Sequence, residues 1–284
     1  MHEPLQEWVT RAPAGPLRSF VDRYVGYRLA GFSPGLHRGL PSQHMTFIVA
    51  IGQTIDVAAQ SDPAQSPQSY GCVLSGLQAS AALIAHDGNQ EGVAIELTPL
   101  GSRTLLGMPA GELWDLSSEF ADVVGGAGAE LWERLQVTAG WEQRFEVCDD
   151  VLSSLVGGDL IAPELRCCWG TLVASGGRIS VSDLAAETGY SRQHLGRRFR
   201  SEFGLSPKLA ARVIRFERAG GMLQSVPWFV SIAQVAAACG YYDQAHLYRD
   251  FTELAGCTPT ELLGEDLPFF QDDLTPDESQ LLHD

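Results

Sequence analysis

Arg197 and Arg249 lie 52 residues apart, in two stretches whose other side chains also match. A guanidinium can form two hydrogen bonds at once to a guanine edge, and the side-chain amides of Gln193 and Gln244 can do the same with adenine. For this chemistry to work, the groups must project together from one face of a rigid element. If Leu195 and Phe199 form a buried stripe, a helical step of about 100° per residue turns Gln193, Arg197, Arg200 and Ser201 outward, with His194 and Gly196 on the flanks. In the later stretch the same geometry presents Ala245, Arg249, Thr252 and Glu253, flanked by His246 and Tyr248, with Gln244 beside the start of the helix. Residues in the first turns are best placed to reach base edges.

The elements that must position these groups are written twice. Leu184-Ala185, Gly189-Tyr190, Leu195, Phe199, Gly204 and Pro207 recur as Val235-Ala236, Gly240-Tyr241, Leu247, Phe251, Gly256 and Pro259. The offset is 51 residues up to the tyrosines and 52 beyond them, so the second copy has one extra residue in its turn. Each copy reads as a short apolar helix, a glycine turn, a capping residue (Ser191, Asp243) and a second helix with inward Leu and Phe four apart. That order is the grammar of a helix-turn-helix. Ser206-Pro207 then reads as the cap and first turn of a joining helix, with Leu209, Val213, Phe216 and Leu223 as its apolar stripe. Arg212, Arg215 and Arg218 run beside that stripe, placed for phosphates or acidic neighbours. Gly220-Gly221 and Pro227 are expected to end the helix. A connector of that length could set the two second helices about one duplex turn, ~34 Å, apart.

Residues from about 163 to 264 resemble the DNA-binding domain of the arabinose-operon regulator (AraC/XylS) family, in which a linker helix joins two helix-turn-helix units. The resemblance rests on the run Gly240-Tyr241-Tyr242-Asp243-Gln244-Ala245-His246-Leu247, on Arg249, Phe251, Gly256, Thr258 and Pro259, and on Ile232-Ala233 and the first copy. It implies a sequence-specific transcriptional regulator of double-stranded DNA. The expected contact set is Ser191, Arg192, Gln193, His194, Gly196, Arg197 and Arg200 in the first unit and Asp243, Gln244, His246, Tyr248 and Arg249 in the second. One departure stands out: the family often has a basic residue just after the second unit's Phe, where this chain has Thr252 and Glu253.

The net charge of -16 is unusual for a protein that approaches phosphates. Its distribution removes most of the conflict. Residues 1–161 have a net charge of -11, residues 162–264 of +2 and residues 265–284 of -7. Specific affinity must therefore depend on a few well-placed arginines and helix N-termini more than on a broad basic field.

These boundaries also serve as the expected domain limits: a sensor or dimerisation domain over 1–161, the DNA-binding domain over 162–264 and an acidic tail over 265–284. The tail, with Pro268 and Pro276, reads as an irregular appendage, either packed by Phe269-Phe270 or partly disordered. The expected class is α+β. Apolar runs at 47–51, 72–74, 81–85 and 93–97 read as strands. From Pro99 onward, Leu100, Leu105-Leu106, Leu113, Leu131 to Leu135 and Phe145 to Leu155 suggest helices. Strands followed by helices match the plan of an AraC-type sensor domain, a cupin-like β-barrel with trailing helices. His37-Arg38-Gly39-Leu40-Pro41-Ser42 and Pro99-Leu100-Gly101 with Leu106-Gly107 also resemble one actinobacterial branch of these regulators.

The sensor domain is where an effector would bind. His37, Arg38 and His44 are the candidate binding residues. The two histidines lack the His-x-His and following Glu of metal-binding cupins, so neither metal nor cofactor is expected. Arg38 could meet an anionic ligand or sit in a salt bridge, and Trp8, Tyr24, Tyr27 and Phe32 could line a pocket or build the core. Six cysteines scattered without a C-x-x-C pair read as reduced, packed thiols. No apolar run reaches the ~18 residues of a membrane span and no signal sequence is evident, so a cytoplasmic protein is expected. The expected partners are double-stranded DNA, a small-molecule effector, a second copy of the chain and RNA polymerase. The alternatives are a constitutive dimeric regulator and a cupin-type enzyme or DNA-repair protein carrying the same DNA-binding domain. The enzyme readings require a metal cluster, an activated nucleophile or a Pro-Cys-His-type methyl acceptor, and none is visible.

Overall fold

The computed structural model describes residues 4–157, 161–225 and 231–265. The first half contains ten strands: β1 (Leu5–Arg11), β2 (Val21–Ala30), β3 (Gly35–Gly39), β4 (Met45–Ala50), β5 (Ile55–Ala59), β6 (Gln68–Tyr70), β7 (Cys72–Ser75), β8 (Ala82–His86), β9 (Gln90–Leu97) and β10 (Ser117–Glu119). They form two antiparallel sheets, ordered β1-β2-β9-β4-β7-β10 and β3-β8-β5-β6. The half is cupin-like, but its strands do not close into the expected barrel. Closure requires the edge strands to pair. Here β1 pairs only with β2, and β10 is a three-residue edge pairing only with β7.

Alternation along β4 shows how the layers form. Met45, Phe47 and Val49 join the large core shared with the helices, whereas Ala50 and the half-buried Ile48 join a smaller cluster with Val73 of the same sheet and Ile55, Val57 and Ile84 of the second sheet. Each expected apolar run coincides with a strand, namely β4, β7, β8 and β9.

The segment from Pro99 to Leu113 is not helical in the expected way. It forms three short turns over Pro99–Gly101, Ser102–Leu106 and Ala110–Leu113, and Gly107, at a φ of 72°, breaks any continuous helix. Regular helices begin later with α1 (Phe120–Val124), α2 (Gly126–Val137) and α3 (Trp141–Leu155). They cover the large sheet, with Phe120 against Phe47 and Phe145 against Tyr24. Tyr24 is therefore core, and its hydroxyl donates to Asp149 at 2.9 Å.

The second half is all helical: α4 (Pro163–Ala174), α5 (Val181–Thr188), α6 (Arg192–Phe203), α7 (Pro207–Ser225), α8 (Ile232–Ala238), α9 (Gln244–Leu254) and α10 (Pro259–Leu262). Ser206 caps α7 as expected, its hydroxyl accepting from Leu209 N–H at 3.2 Å. Gly220-Gly221 do not end it, and the helix runs on to Ser225. Two glycines cost a helix roughly 1 kcal/mol each, but Ala219, Gly221 and Met222 are buried here, and that packing holds the last turns. Pro227 and the tail beyond Glu265 lie outside the described residues.

The hydrophobic core does not stop at the expected domain limit. One cluster runs from Leu17 and Phe47 through Leu113 and Ile161 to Trp169, Leu195, Phe203 and Ile214. The second unit has its own core around Val213, Phe216, Val235, Leu247 and Phe251, which Leu40 of the first half joins.

Candidate DNA interface and the cavity behind it

The sequence repeat is also a repeat of caps. Ser180 and Ser231 cap α5 and α8, Ser191 and Asp243 cap α6 and α9, and each cap side chain accepts a hydrogen bond from a backbone N–H three residues on. Gly189 and Gly240, at φ 69° and 78°, make the turn between the paired helices, a conformation that favours glycine. Leu184, Leu195 and Phe199 are fully buried, as are Val235, Leu247 and Phe251. Each second helix is thus held by the same three-point packing and turns its remaining face to solvent.

On α6 that face bears all seven expected residues of the first unit. Ser191, Arg192, Gln193, Arg197 and Arg200 are exposed, while His194 and Gly196 are half-buried. Together with Ser201 they line one shallow concavity. On α9, Asp243, Gln244 and Arg249 are exposed, and His246 and Tyr248 are half-buried. The histidines have a second role: His194 packs edge-on against Tyr190 at 4.7 Å, and His246 packs likewise against Tyr241 at 5.2 Å. They brace the turn while facing the same surface. Tyr242, in the turn just before α9, is 92% exposed and lies outside the expected contact set. Its one signal was a bulky aromatic in a turn, beside a capping Asp.

Two of the joining helix's arginines turn toward protein. Arg212 donates to the buried Asp250 at 2.7 Å and also pairs with Glu253. Glu253, where the family often carries positive charge, is therefore partly neutralised within the protein. Arg215 donates to the Gly177 carbonyl at 2.7 Å.

Between the two sheets lies a cavity of about 130 Å³ whose walls include His37, Arg38 and His44. The structure brings all three to one cavity but gives each a different environment. His37 is buried beside His86, with ring centroids 5.5 Å apart. Burial, helped by the neighbouring imidazole, lowers its pKa to about 4. Arg38 donates from Nε to the Ala255 carbonyl at 2.9 Å and pairs with Glu265, tying the first half to the second unit. His44 is set 2.6 Å from an Asp22 oxygen and 3.8 Å from Glu217 of α7. Burial alone would push His44 down, but the bonds to Asp22 and Glu217 and the charges of Glu217 and Glu96 outweigh it, raising the pKa to about 10. Of the four aromatics, Tyr27 lines the cavity, whereas Trp8 and Phe32 pack beside Tyr27 and Leu29.

A helix-turn-helix domain model matches residues 184–265. The fold as a whole is similar to that of an apo point variant of ToxT from Vibrio cholerae strain SCE256, at 13% identity and a TM-score of 0.52, over 84% of this chain and 96% of that one. It is also similar to ToxT from Vibrio cholerae O395 bound to (E)-4-(8-methylnaphthalen-1-yl)but-3-enoic acid, at 15% identity and a TM-score of 0.50, over 84% of this chain and 97% of that one. An AraC-type DNA-binding domain-containing transcriptional regulator from Chromobacterium violaceum is 28% identical over 36% of this chain and 89% of that one, with a TM-score of 0.33. No curated protein matches the chain. Two capped helix-turn-helix units at a 51- to 52-residue offset and the matched domain thus give this chain a helix-turn-helix half of the DNA-binding type, within a two-part fold similar to that of ToxT.

Proposed function

We propose that the chain reads a specific operator with α6 and α9 and that a small molecule in the sensor-half cavity sets how the DNA-binding half is held. The observation that carries the first part is the α6 face: every residue expected to contact DNA in the first unit lines one concavity on it. Arg197 and Arg249 are the base-reading groups, with Gln193 and Gln244 beside them. Ser191 and Asp243 present the helix N-termini to phosphate, while Arg192, Arg200 and Tyr248 flank the groove. The joining helix α7 spans 19 residues, ~28 Å at a helical rise, which suits two recognition helices on one face of the duplex.

The effector reading is supported by the cavity walls, which touch the contacts holding the DNA-binding half. His44 faces Glu217 of α7, and Arg38 reaches Ala255 just after α9. A similar protein, ToxT, is known bound to a substituted butenoic acid, which supports a small-molecule effector in general terms. In this reading residues 1–161 are the sensor and dimerisation part, residues 162–264 bind DNA, and the chain acts in the cytoplasm as a homodimer that can contact RNA polymerase rather than as an enzyme. No helix among the described residues is long and apolar enough to cross a membrane.

Genomic mapping of bound sites followed by footprinting of wild-type protein and Arg197→Ala tests the proposal. A discrete footprint that loses selectivity at one base in the variant is the expected result. Uniform binding to all sequences would overturn it.

A further inference from the structure

The cavity's charged walls are already occupied, and that constrains the ligand it can take. Arg38 is engaged by the Ala255 carbonyl and by Glu265, and His44 by Asp22 and Glu217. Glu96, the carboxylate on the wall, is paired with Arg23 at 2.8 Å. An anion entering here would have to strip one of these cations from its partners or remain buried without a counter-charge, and either is costly. His37 offers no positive charge at neutral pH, since burial holds its imidazole neutral.

What the walls leave unused is neutral hydrogen bonding. His37 is buried and its Nδ1 has no hydrogen-bond partner. Gln78 is buried as well and lines the same cavity. A buried polar atom left unpaired is unfavourable and is satisfied by a bound group that supplies the missing partner. The remaining wall is largely aliphatic, including Val25, Ile48, Ile55, Val57 and Ile84. Its volume of about 130 Å³ is close to the ~150 Å³ that accommodates a benzene ring.

We propose that this cavity is a binding site for a small, uncharged molecule, an apolar body of about one six-membered ring bearing a single hydroxyl or carbonyl, which His37 and Gln78 recognise by hydrogen bonding. The proposal rests on reading the cavity as the effector site and adds the class of effector: a neutral alcohol, phenol or ketone, in contrast to a carboxylic acid. An imidazole in either tautomer can serve it, accepting from a hydroxyl or donating to a carbonyl.

The test uses the full chain at about pH 7 and two matched pairs of probes, cyclohexanol against cyclohexanecarboxylate and phenol against benzoate, titrated by calorimetry. Saturable one-site binding of the neutral member of each pair is expected, with the carboxylate weaker by at least about 100-fold. His37→Phe keeps a ring in place while removing the nitrogens, and Gln78→Met keeps the length while removing the amide. Each should weaken cyclohexanol binding about tenfold, with the melting temperature of each variant confirming that it is folded. The proposal is overturned if the carboxylates bind as well as the neutral probes, if no probe saturates, or if both folded variants keep wild-type affinity. Operator affinity measured with and without cyclohexanol separates the two readings. Binding that leaves operator affinity unchanged upholds the ligand class and sinks the effector role.

Discussion

Arg103, in the turns that follow β9, donates two hydrogen bonds to Glu202 on the buried side of α6, from Nε to Oε1 at 2.7 Å and from Nη2 to Oε2 at 2.9 Å. The first recognition helix is thereby held from behind by the sensor half. Next to this pair, a Cβ at Gly204 would collide with the Trp114 side chain, so the two halves meet with no room to spare. We expect Arg103→Ala to destabilise the protein by about 1–3 kcal/mol, because it leaves a buried carboxylate unpaired. Glu202→Gln in the Arg103→Ala background should recover part of that loss. Urea unfolding of the two singles and the double measures the coupling, and additive losses would show that the pair does not hold α6.

Arg197→Ala and Arg249→Ala should each weaken specific binding by about 1–3 kcal/mol and relax preference at one base position. The two positions are equivalent in the repeat and both are exposed. Selection from a randomised operator library provides the readout. An equal loss for every sequence would make the arginine a phosphate contact.

Charge is divided unequally between the two recognition helices. Arg192, Arg197, Arg198 and Arg200 are exposed on α6, whereas Arg249 is the only exposed arginine on α9 and Glu253 lies nearby. Replacing Arg192 and Arg200 together should therefore flatten the dependence of log affinity on log salt by roughly 2, about one per lost phosphate contact. No such change is expected from Gln244→Ala. A salt slope unchanged in the double variant would move the phosphate contacts away from α6.

The contact between His44 and Glu217 should respond to pH. The folded pKa of about 10 lies above the ordinary value of 6.5, so the protonated imidazole contributes stability fully below about pH 6.5 and loses it as pH rises through 10. His37 has the opposite sign: its folded pKa of about 4 means its contribution is present above about pH 6.5 and is lost as pH falls through 4. Melting temperature followed from pH 6 to 10 should fall less steeply in His44→Gln than in wild type. Parallel curves would show that His44 is not protonated in the folded protein.

The two helix-turn-helix units were legible in the sequence. Repeated caps, glycine turns and the Leu–Phe spacing are local instructions, set by hydrogen bonds three or four residues apart, and they appear unchanged in α5, α6, α8 and α9. The strands at β4, β7, β8 and β9 were legible for the same reason, since alternation along a strand is also local. Tertiary structure decided the rest. Gly220-Gly221 read as a stop, yet burial of Ala219 and Met222 against the second unit carries the helix through them. Sheet closure depends on partners far away in sequence, and here the edges stay apart. His37, Arg38 and His44 are near neighbours in sequence. Only the tertiary packing makes His37, buried beside His86, a neutral imidazole, makes Arg38, at Ala255 and Glu265, a strut between the halves, and makes His44, at Asp22 and Glu217, a held cation. Distant partners set those charge states, and local spacing carries no record of them.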